Sequence, residues 1–372
     1  MSGLDALAHR LNQLVARPRV QSRIARMPLL RRFARAEGEA LFDLLAGFCH
    51  SQVLTAFVAL DLHEHLLEGP VAPEDLAERC RLPPERLRLL LRAAAALGLV
   101  RLRPASVRLT QRGAALAGVP GLTVMILHNQ ILYRDMADPL AFLRGEAETE
   151  MARFWPYVFG EGAASDPDAA ARYSDLMASS QALVAEVTLD AVSFRGVNRL
   201  LDVGGGSGSF LIEVARRYPE IGLTLFDLPA VVPVARSRLR AAALADRVAL
   251  VPGSFREDAL PPGADAISLI RVLFDHDDDS VRALLKAVHE ALPPGGRLVI
   301  SEPMGEEETP SRPADAYYAL YTLAMGTGRT RTVERIAALC REAGFTDVAV
   351  PRVDRPFITR VVTGRRAGGL SV

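Results

Sequence analysis

Three cysteines, one tryptophan and a single lysine, Lys286, are all that 372 residues hold of those types. Cys49, Cys80 and Cys340 are far apart, odd in number and free of C-x-x-C or Cys/His spacing. That excludes a disulfide framework or a zinc site and leaves buried, reduced thiols. Arginine supplies the positive charge that lysine does not, which reads as codon bias. Net charge is zero, an argument against general affinity for nucleic acid. No run approaches the ~20 apolar residues of a membrane span. The start, Met-Ser-Gly-Leu-Asp-Ala, lacks the charged-then-apolar plan of a signal peptide. A cytoplasmic location is expected. No internal repeat or low-complexity linker interrupts the chain.

What is present is apolar material, 49% of the residues, enough for two cores in a chain longer than a typical single domain. The most informative stretch is Arg199-Leu-Leu-Asp-Val-Gly-Gly-Gly-Ser-Gly-Ser-Phe210. Leu200, Leu201 and Val203 read as a short buried strand broken at Gly204, Gly205, Gly206 and Gly208. Ser209 to Arg217 then reads as a helix with Phe210, Ile212, Val214 and Ala215 on its apolar face. Strand, glycine turn and helix open a nucleotide-binding α/β unit. Glycines let the backbone approach a ligand, and the unpaired N–H groups of the first helical turn attract an anion.

The dinucleotide fingerprint asks for glycine at its first, third and sixth positions. Counted from Gly204 these are Gly204, Gly206 and Ser209, so the third glycine is missing. Carboxylates stand on either side instead. Asp202 precedes the turn, and Asp227 ends the next strand in Leu223-Thr-Leu-Phe-Asp-Leu-Pro229, roughly 20 residues on, where a strand-end acid reaches a ribose. A glycine turn alone could merely pack a helix on a strand; two flanking acids argue for a ligand.

Leu-Asp-Val-Gly-Gly-Gly-Ser-Gly with Phe-Asp-Leu-Pro resembles the S-adenosylmethionine-dependent O-methyltransferases of the caffeate type, from the helix near Ser51 to Phe357. The resemblance implies a Rossmann-like class I α/β methyltransferase domain preceded by an α-helical winged-helix dimerisation domain, in a homodimer. It implies S-adenosylmethionine as cofactor, S-adenosylhomocysteine as product, and no metal. By position, Asp202, Gly204, Gly206 and Gly208 would receive the methionine part. Asp227, with Leu228 beside it, would hold the ribose. Ser254 and Phe255 in Pro252-Gly-Ser-Phe255 would meet adenine, Ser254 where relatives carry an aspartate, and Arg271 takes the family's basic position near adenine. Tyr173-Ser-Asp-Leu-Met177 resembles the cofactor-flanking helix, with Tyr173 and Met177 against adenosine or the sulfonium.

In chain order, residues 1–37 read as a basic helical arm, with Leu4, Leu7, Leu11 and Leu14 at helical spacing among eight arginines. Such an arm suits the headgroup region of an anionic bilayer, giving peripheral contact with the inner or photosynthetic membrane, or it packs on a dimer mate; both readings stay open. Residues 38–119 read as the winged helix: helices over 51–67, 72–79 and 83–98, then wing strands over 99–102 and 107–110. A DNA-binding regulator is the rival of a different class. The third helix, however, offers Arg86, Arg88 and Arg92 without Asn or Gln for base edges. Residues 120–185 read as a helical bridge over the active site, with His128, Tyr133, Phe154 and Trp155, joined by Phe274 from further along the chain, as lining of a hydrophobic pocket. The methyltransferase domain follows over 186–372, with strands at 199–203, 222–226, 247–251, 265–270 and 297–301 in a parallel sheet. A closing pair is expected over 346–352 and 356–363.

Where relatives read Arg/Lys-x-x-x-His-Asp-Trp, with a histidine that deprotonates a phenol, this chain reads Arg271-Val-Leu-Phe-Asp-His-Asp-Asp-Asp279. The catalytic-histidine position falls on Phe274 or Asp275, and a histidine stands instead at His276. Of the two glutamates that orient the base, Glu302 is kept and Thr330 replaces the other. Either His276 serves as base from its new place, supported by Glu302 and with its pKa raised by neighbouring carboxylates, or no strong base is needed and rate comes from alignment. These departures, with Ala46-Gly-Phe-x-x-Ser-Gln52 and Met325-Gly-Thr-Gly-Arg-Thr-Arg331, resemble the carotenoid O-methyltransferases of purple bacteria, whose acceptor is a tertiary hydroxyl of an acyclic polyene. Ring-carbon methyltransferases of bacteriochlorophyll synthesis are the related alternative.

Overall fold

The computed structural model describes residues 3–154 and 181–368. Trp155, Tyr173 and Met177 therefore lie outside the described residues. Chain contacts divide the protein into two compact units, Met1–Ala115 and Leu116–Val372.

In the first unit, helices Gly3–Val15 and Pro18–Arg26 lead into a 29-residue helix, Arg31–Ala59. The last runs straight through residue 37, where the sequence suggested a boundary. Its glycines, Gly38 and Gly47, are tolerated inside a helix at ~1 kcal/mol each relative to alanine, and the turn comes only at Asp61, in left-handed geometry (φ 50°). By length and composition this helix is apolar enough to cross a bilayer, with a window of mean hydropathy 1.4. That differs from the expectation of no such stretch, because scattered polar residues interrupt the run without lowering its average. Leu41, Phe42, Leu44, Leu45 and Phe48 are exposed along it. Helices Pro73–Arg79 and Pro84–Ala96 each open on proline at the first turn, where the missing N–H costs nothing. Strands Val100–Arg103 and Ser106–Leu109 then pair antiparallel in the expected wing.

The second unit is organised by a seven-stranded sheet: β1 Arg199–Val203, β2 Gly222–Asp227, β3 Val248–Pro252, β4 Ala266–Ile270, β5 Arg297–Glu302, β6 Phe345–Ala349 and β7 Arg360–Arg366. The spatial order is β6-β7-β5-β4-β1-β2-β3. Strands β1 to β5 pair in parallel, whereas β7 runs antiparallel to both β5 and β6. The sheet is thus mixed, not wholly parallel, because the short connection between β6 and β7 permits only an antiparallel return. Both faces are covered. Leu201 and Val203 of β1 pack with Leu269, Leu285 and Ile336 on one side. Leu200 packs with Phe210, Val214 and Phe194 on the other. Alternation puts Asp202 on the Leu200 face, so the strand carries a carboxylate inward at its carboxyl end.

Helix Leu122–Asp135 and helix Glu150–Phe154 are tied together by Asp135, whose buried carboxylate accepts the N–H groups of Glu150 (2.7 Å) and Met151 (3.0 Å). Leu132, Phe142 and Met151 pack there with Tyr321 and Met325 of helix Ala319–Met325. This places a helical layer beside the carboxyl end of the sheet, where parallel α/β proteins bind ligands.

Candidate active site

The turn after β1 is built for close approach. Gly204, Gly206 and Gly208 have φ of 67°, 56° and 77°, in the left-handed region. A Cβ on Gly204 would meet Val272 Cγ2 at 2.9 Å, whereas one on Gly206 would meet nothing nearer than Gln181 Nε2 at 4.0 Å. The first turn is therefore packed from behind and open in front. Helix Ser209–Arg217 begins without a side-chain cap, leaving first-turn N–H groups for a ligand.

Asp227 faces this turn from the end of β2. Its Oδ2 accepts the Gly206 N–H at 2.7 Å and its Oδ1 accepts the Leu228 N–H at 2.7 Å. Burial pushes its pKa up, while the two amide bonds pull it down. Asp202 is pushed up to about 7, chiefly by burial, although the Ser268 hydroxyl donates to its Oδ1 at 2.5 Å. Its Oδ2 is buried with no partner among the described residues. An open glycine cradle, an uncapped helix start and two inward carboxylates fit a cationic amino acid joined to a nucleoside. Ser254 donates its N–H to Asp258 Oδ2 (2.8 Å), and Phe255, half-buried, flanks it.

His276 belongs to this side of the site. Its ring meets Phe255 edge-on, 5.2 Å between centroids, and its Nδ1 accepts from Arg256 at 3.0 Å. The ring is 8% exposed, and its pKa falls to about 4, first because of burial and next because of Arg256. The expected upward shift from neighbouring carboxylates is not met: Asp277 raises it, but desolvation and a cation outweigh one exposed acid.

A second cluster gathers past β4 and β5. Arg271 adopts φ 58°, an unfavourable conformation for a residue with a Cβ, immediately after β4. Its guanidinium stands 5.6 Å from the centre of the Phe274 ring. Its charge acts on His128, Tyr317, Tyr318, Tyr321 and Asp275, so it serves this cluster, although adenine was expected as its neighbour. His128 Nε2 bonds the Tyr321 hydroxyl at 3.0 Å, and the Tyr317 hydroxyl donates to Asn129 Oδ1 at 2.8 Å. Burial, then Arg271, lowers the His128 pKa to about 4, so the ring is neutral. Tyr133, on the same helix as His128, is half-buried. Phe154 ends helix Glu150–Phe154. Phe274 is 1% exposed, filling the interior where an ionisable group was considered.

Asp275 is half-buried, and its Oδ1 is closed from solvent with no hydrogen-bond partner among the described residues. Its pKa is raised by burial and by Glu302, against the pull of Arg271. Glu302, fully buried at the end of β5, accepts the Phe274 N–H through Oε2 at 3.2 Å, while Oε1 has no hydrogen-bond partner among the described residues. Burial pushes its pKa up to about 7. A raised folded pKa makes the protonated form stabilising below the ordinary value of 4.5, and that contribution is lost as pH rises through about 7. Glu302→Gln should therefore gain stability relative to the parent across this window, on the order of a few kcal/mol by pH 8. Urea unfolding at pH 5 and pH 8 measures it, and an equal difference at both would show that Glu302 does not titrate there.

Sequence reasoning missed the tyrosines and the brace that holds the loop. Tyr317-Tyr-Ala-Leu-Tyr321 spaces its rings to share one side of a helical stretch, a signal that could have been read. Arg331, 1% exposed, pairs with Asp278 Oδ1 at 2.7 Å and donates to the carbonyls of Leu273 (2.9 Å) and His276 (2.8 Å). It clamps both ends of the segment that carries Phe274 and Asp275. Thr330 Oγ1, at the position of the lost glutamate, is buried without a hydrogen-bond partner among the described residues. Among the described residues no group of three or more His, Cys, Asp or Glu side chains could hold a metal ion.

The family model of the O-methyltransferase domain matches residues 133–346, and that of the O-methyltransferase dimerisation domain matches residues 42–118. A demethylspheroidene O-methyltransferase from Cereibacter sphaeroides is 51% identical over 98% of this chain and 96% of its own. A 3-hydroxy-5-methyl-1-naphthoate 3-O-methyltransferase from Streptomyces sahachiroi is 32% identical over 88% of this chain and 95% of its own. Among solved structures, human N-acetylserotonin methyltransferase in complex with SAM superposes with a TM-score of 0.74 at 25% identity, covering 90% of this chain and 98% of that one.

Proposed function

The chain belongs to the O-methyltransferase family with an N-terminal dimerisation domain and a class I S-adenosylmethionine-binding domain, and on that footing we propose that it methylates the tertiary hydroxyl of an acyclic carotenoid of the demethylspheroidene type. The observation that carries this reading is the pairing of an intact cofactor turn with a segment, buried Phe274 and half-buried Asp275, that holds no histidine where the resemblance puts the base of phenol-methylating relatives. When bound, S-adenosylmethionine supplies an electrophilic methyl group on a sulfonium. Gly206, Gly208 and the uncapped helix start bind its amino-acid end, and Asp227 binds its ribose. Ser254 and Phe255 border adenine, with His276 packed behind Phe255 as support.

A tertiary alcohol is far less acidic than a phenol, so no side chain ionises it beforehand. The bound cofactor would supply the methyl group to the alcohol oxygen, with its sulfur as leaving group, and Asp275 stands to accept the hydroxyl proton late, as the new bond forms. Arg271 offsets part of the burial that raises the pKa of that carboxylate, and Arg331 holds the loop. The neutral His128 and the three tyrosine rings put aromatic surface beside Arg271 and Asp275, suited to a hydrocarbon end bearing one hydroxyl. Incubation with radiolabelled S-adenosylmethionine, a hydroxylated acyclic carotenoid and simple phenols tests the reading: label is expected in the carotenoid, and label only in phenols would overturn it.

The dimerisation domain supports a homodimer. The exposed leucines Leu4, Leu7, Leu11 and Leu14 of helix Gly3–Val15, beside arginines of the next helix, favour contact of this arm with anionic lipid. Removing residues 1–26 should release the protein from phosphatidylserine vesicles in a flotation assay, since each surface arginine contributes about 1 kcal/mol there. Equal flotation of both forms would assign the arm to the dimer mate.

A further inference from the structure

A cavity of about 270 Å³ reaches the acceptor cluster at Tyr318. Its wall begins at Pro303, the residue after Glu302, and includes Tyr318. The Tyr318 ring packs edge-on against Tyr317, 5.0 Å between centroids, so Tyr318 belongs both to this cavity and to the cluster around Arg271. Pro303, Pro310, Pro313 and Pro356 line it, with Phe357, 56% exposed, at its edge. Proline has no N–H, so such a wall presents few donors that would lose water against a hydrocarbon. The charged lining residues Glu306 and Arg360 pair with each other, which reduces the cost of placing apolar matter beside them. Whole-ligand pockets run from about 300 to 1,000 Å³; this one is smaller and suits a segment of a longer molecule.

We propose that this proline-walled cavity is the subsite for the polyene segment next to the methylated end of the acceptor, with Tyr318 as the partition the chain passes. The inference rests on the carotenoid reading: a hydroxyl held at Asp275 and Arg271 leaves a long hydrocarbon that the acceptor cluster alone does not cover. Continuity favours this cavity, because Tyr318 lines it and also lies within reach of the Arg271 charge. The subsite would sort acceptors by length and stiffness, independently of the chemistry at the hydroxyl.

Two variants outside the chemical site test it. Phe357→Asp puts a charge at the edge, and Thr309→Trp fills the opening from an exposed position. In detergent micelles, each should raise KM for the hydroxylated polyene at least tenfold with kcat within about twofold, and leave a ten-carbon prenyl tertiary alcohol unaffected. Binding of an unhydroxylated acyclic polyene, followed by quenching of protein fluorescence, should weaken by the same factor. Unchanged KM and unchanged polyene binding in both variants would overturn the subsite while leaving the carotenoid reading intact. Weakened polyene binding without methylation of any polyene by the parent enzyme would keep the subsite and overturn that reading instead. Equal losses for long and short acceptors would place the effect in general folding and refute a length-sorting role; thermal melting of both variants identifies that case.

Discussion

Replacing Asp227 with alanine is expected to weaken S-adenosylmethionine binding by a factor of about 10² to 10⁴, because two hydrogen bonds from ribose to a charged acceptor are each worth ~1.5–3 kcal/mol. The loss has a second component in this protein. Both Asp227 oxygens already accept backbone N–H groups at 2.7 Å, one from Gly206 and one from Leu228. Truncation therefore leaves two amides unpaired at the turn that receives the amino-acid end, as well as removing the ribose contact. Asp227→Asn separates the components, since it keeps an oxygen for Gly206 but discards the charge. Titration calorimetry of parent and both variants reads the two losses directly: alanine should lose more than asparagine. An affinity within about threefold of the parent for Asp227→Ala would remove this residue from the cofactor site.

The cofactor half was legible because its signals are local. Strand, glycine turn, helix and the two acids lie within Arg199–Asp227, and β1 and helix Ser209–Arg217 occupy the residues expected. Backbone geometry explains it: left-handed turns demand glycine, and a strand buried on both faces reads as an apolar run. The acceptor half is assembled across the chain. His128 meets Tyr321 and Asn129 meets Tyr317, 193 and 188 positions away, so no periodicity could announce either pair. Arg331 looked like one arginine among many until its three partners closed around the Leu273–Asp278 loop. The chemistry of His276 was misjudged for a related reason. Counting acids nearby in sequence suggested a raised pKa, but Asp277 and Asp278 point elsewhere, Asp277 capping Ser280 and Asp278 pairing with Arg331. Arg256, twenty residues upstream, is what meets the ring. The reversal of β7 escaped notice because alternation of β and α segments says nothing about strand direction after the last crossover.

Asp275→Asn should lower kcat for the tertiary alcohol by about 10²–10³, within the range removed with a general base, while the affinity for S-adenosylmethionine stays within twofold. The substitution keeps shape and takes away only the charge and the proton-accepting oxygen, so the adjoining Phe274 and His276 need not move. The carboxylate is suited to late proton transfer. Its raised pKa makes it a better acceptor than an exposed aspartate once the oxygen begins to bond to carbon, and Arg271 opposes the rise without cancelling it. The sign of the pH dependence follows. Activity should climb as pH rises through the elevated pKa of Asp275, and Asp275→Asn should flatten that climb. His276→Gln is the contrasting variant: a neutral ring with Nδ1 already occupied by Arg256 has little basicity to lose, so kcat should fall less than about fivefold and the pH profile should keep its shape. Single-turnover measurements across pH 6 to 9 distinguish the two residues. A full loss in His276→Gln with an unaffected Asp275→Asn would move the proton acceptor to the adenine side of the site and reverse the assignment.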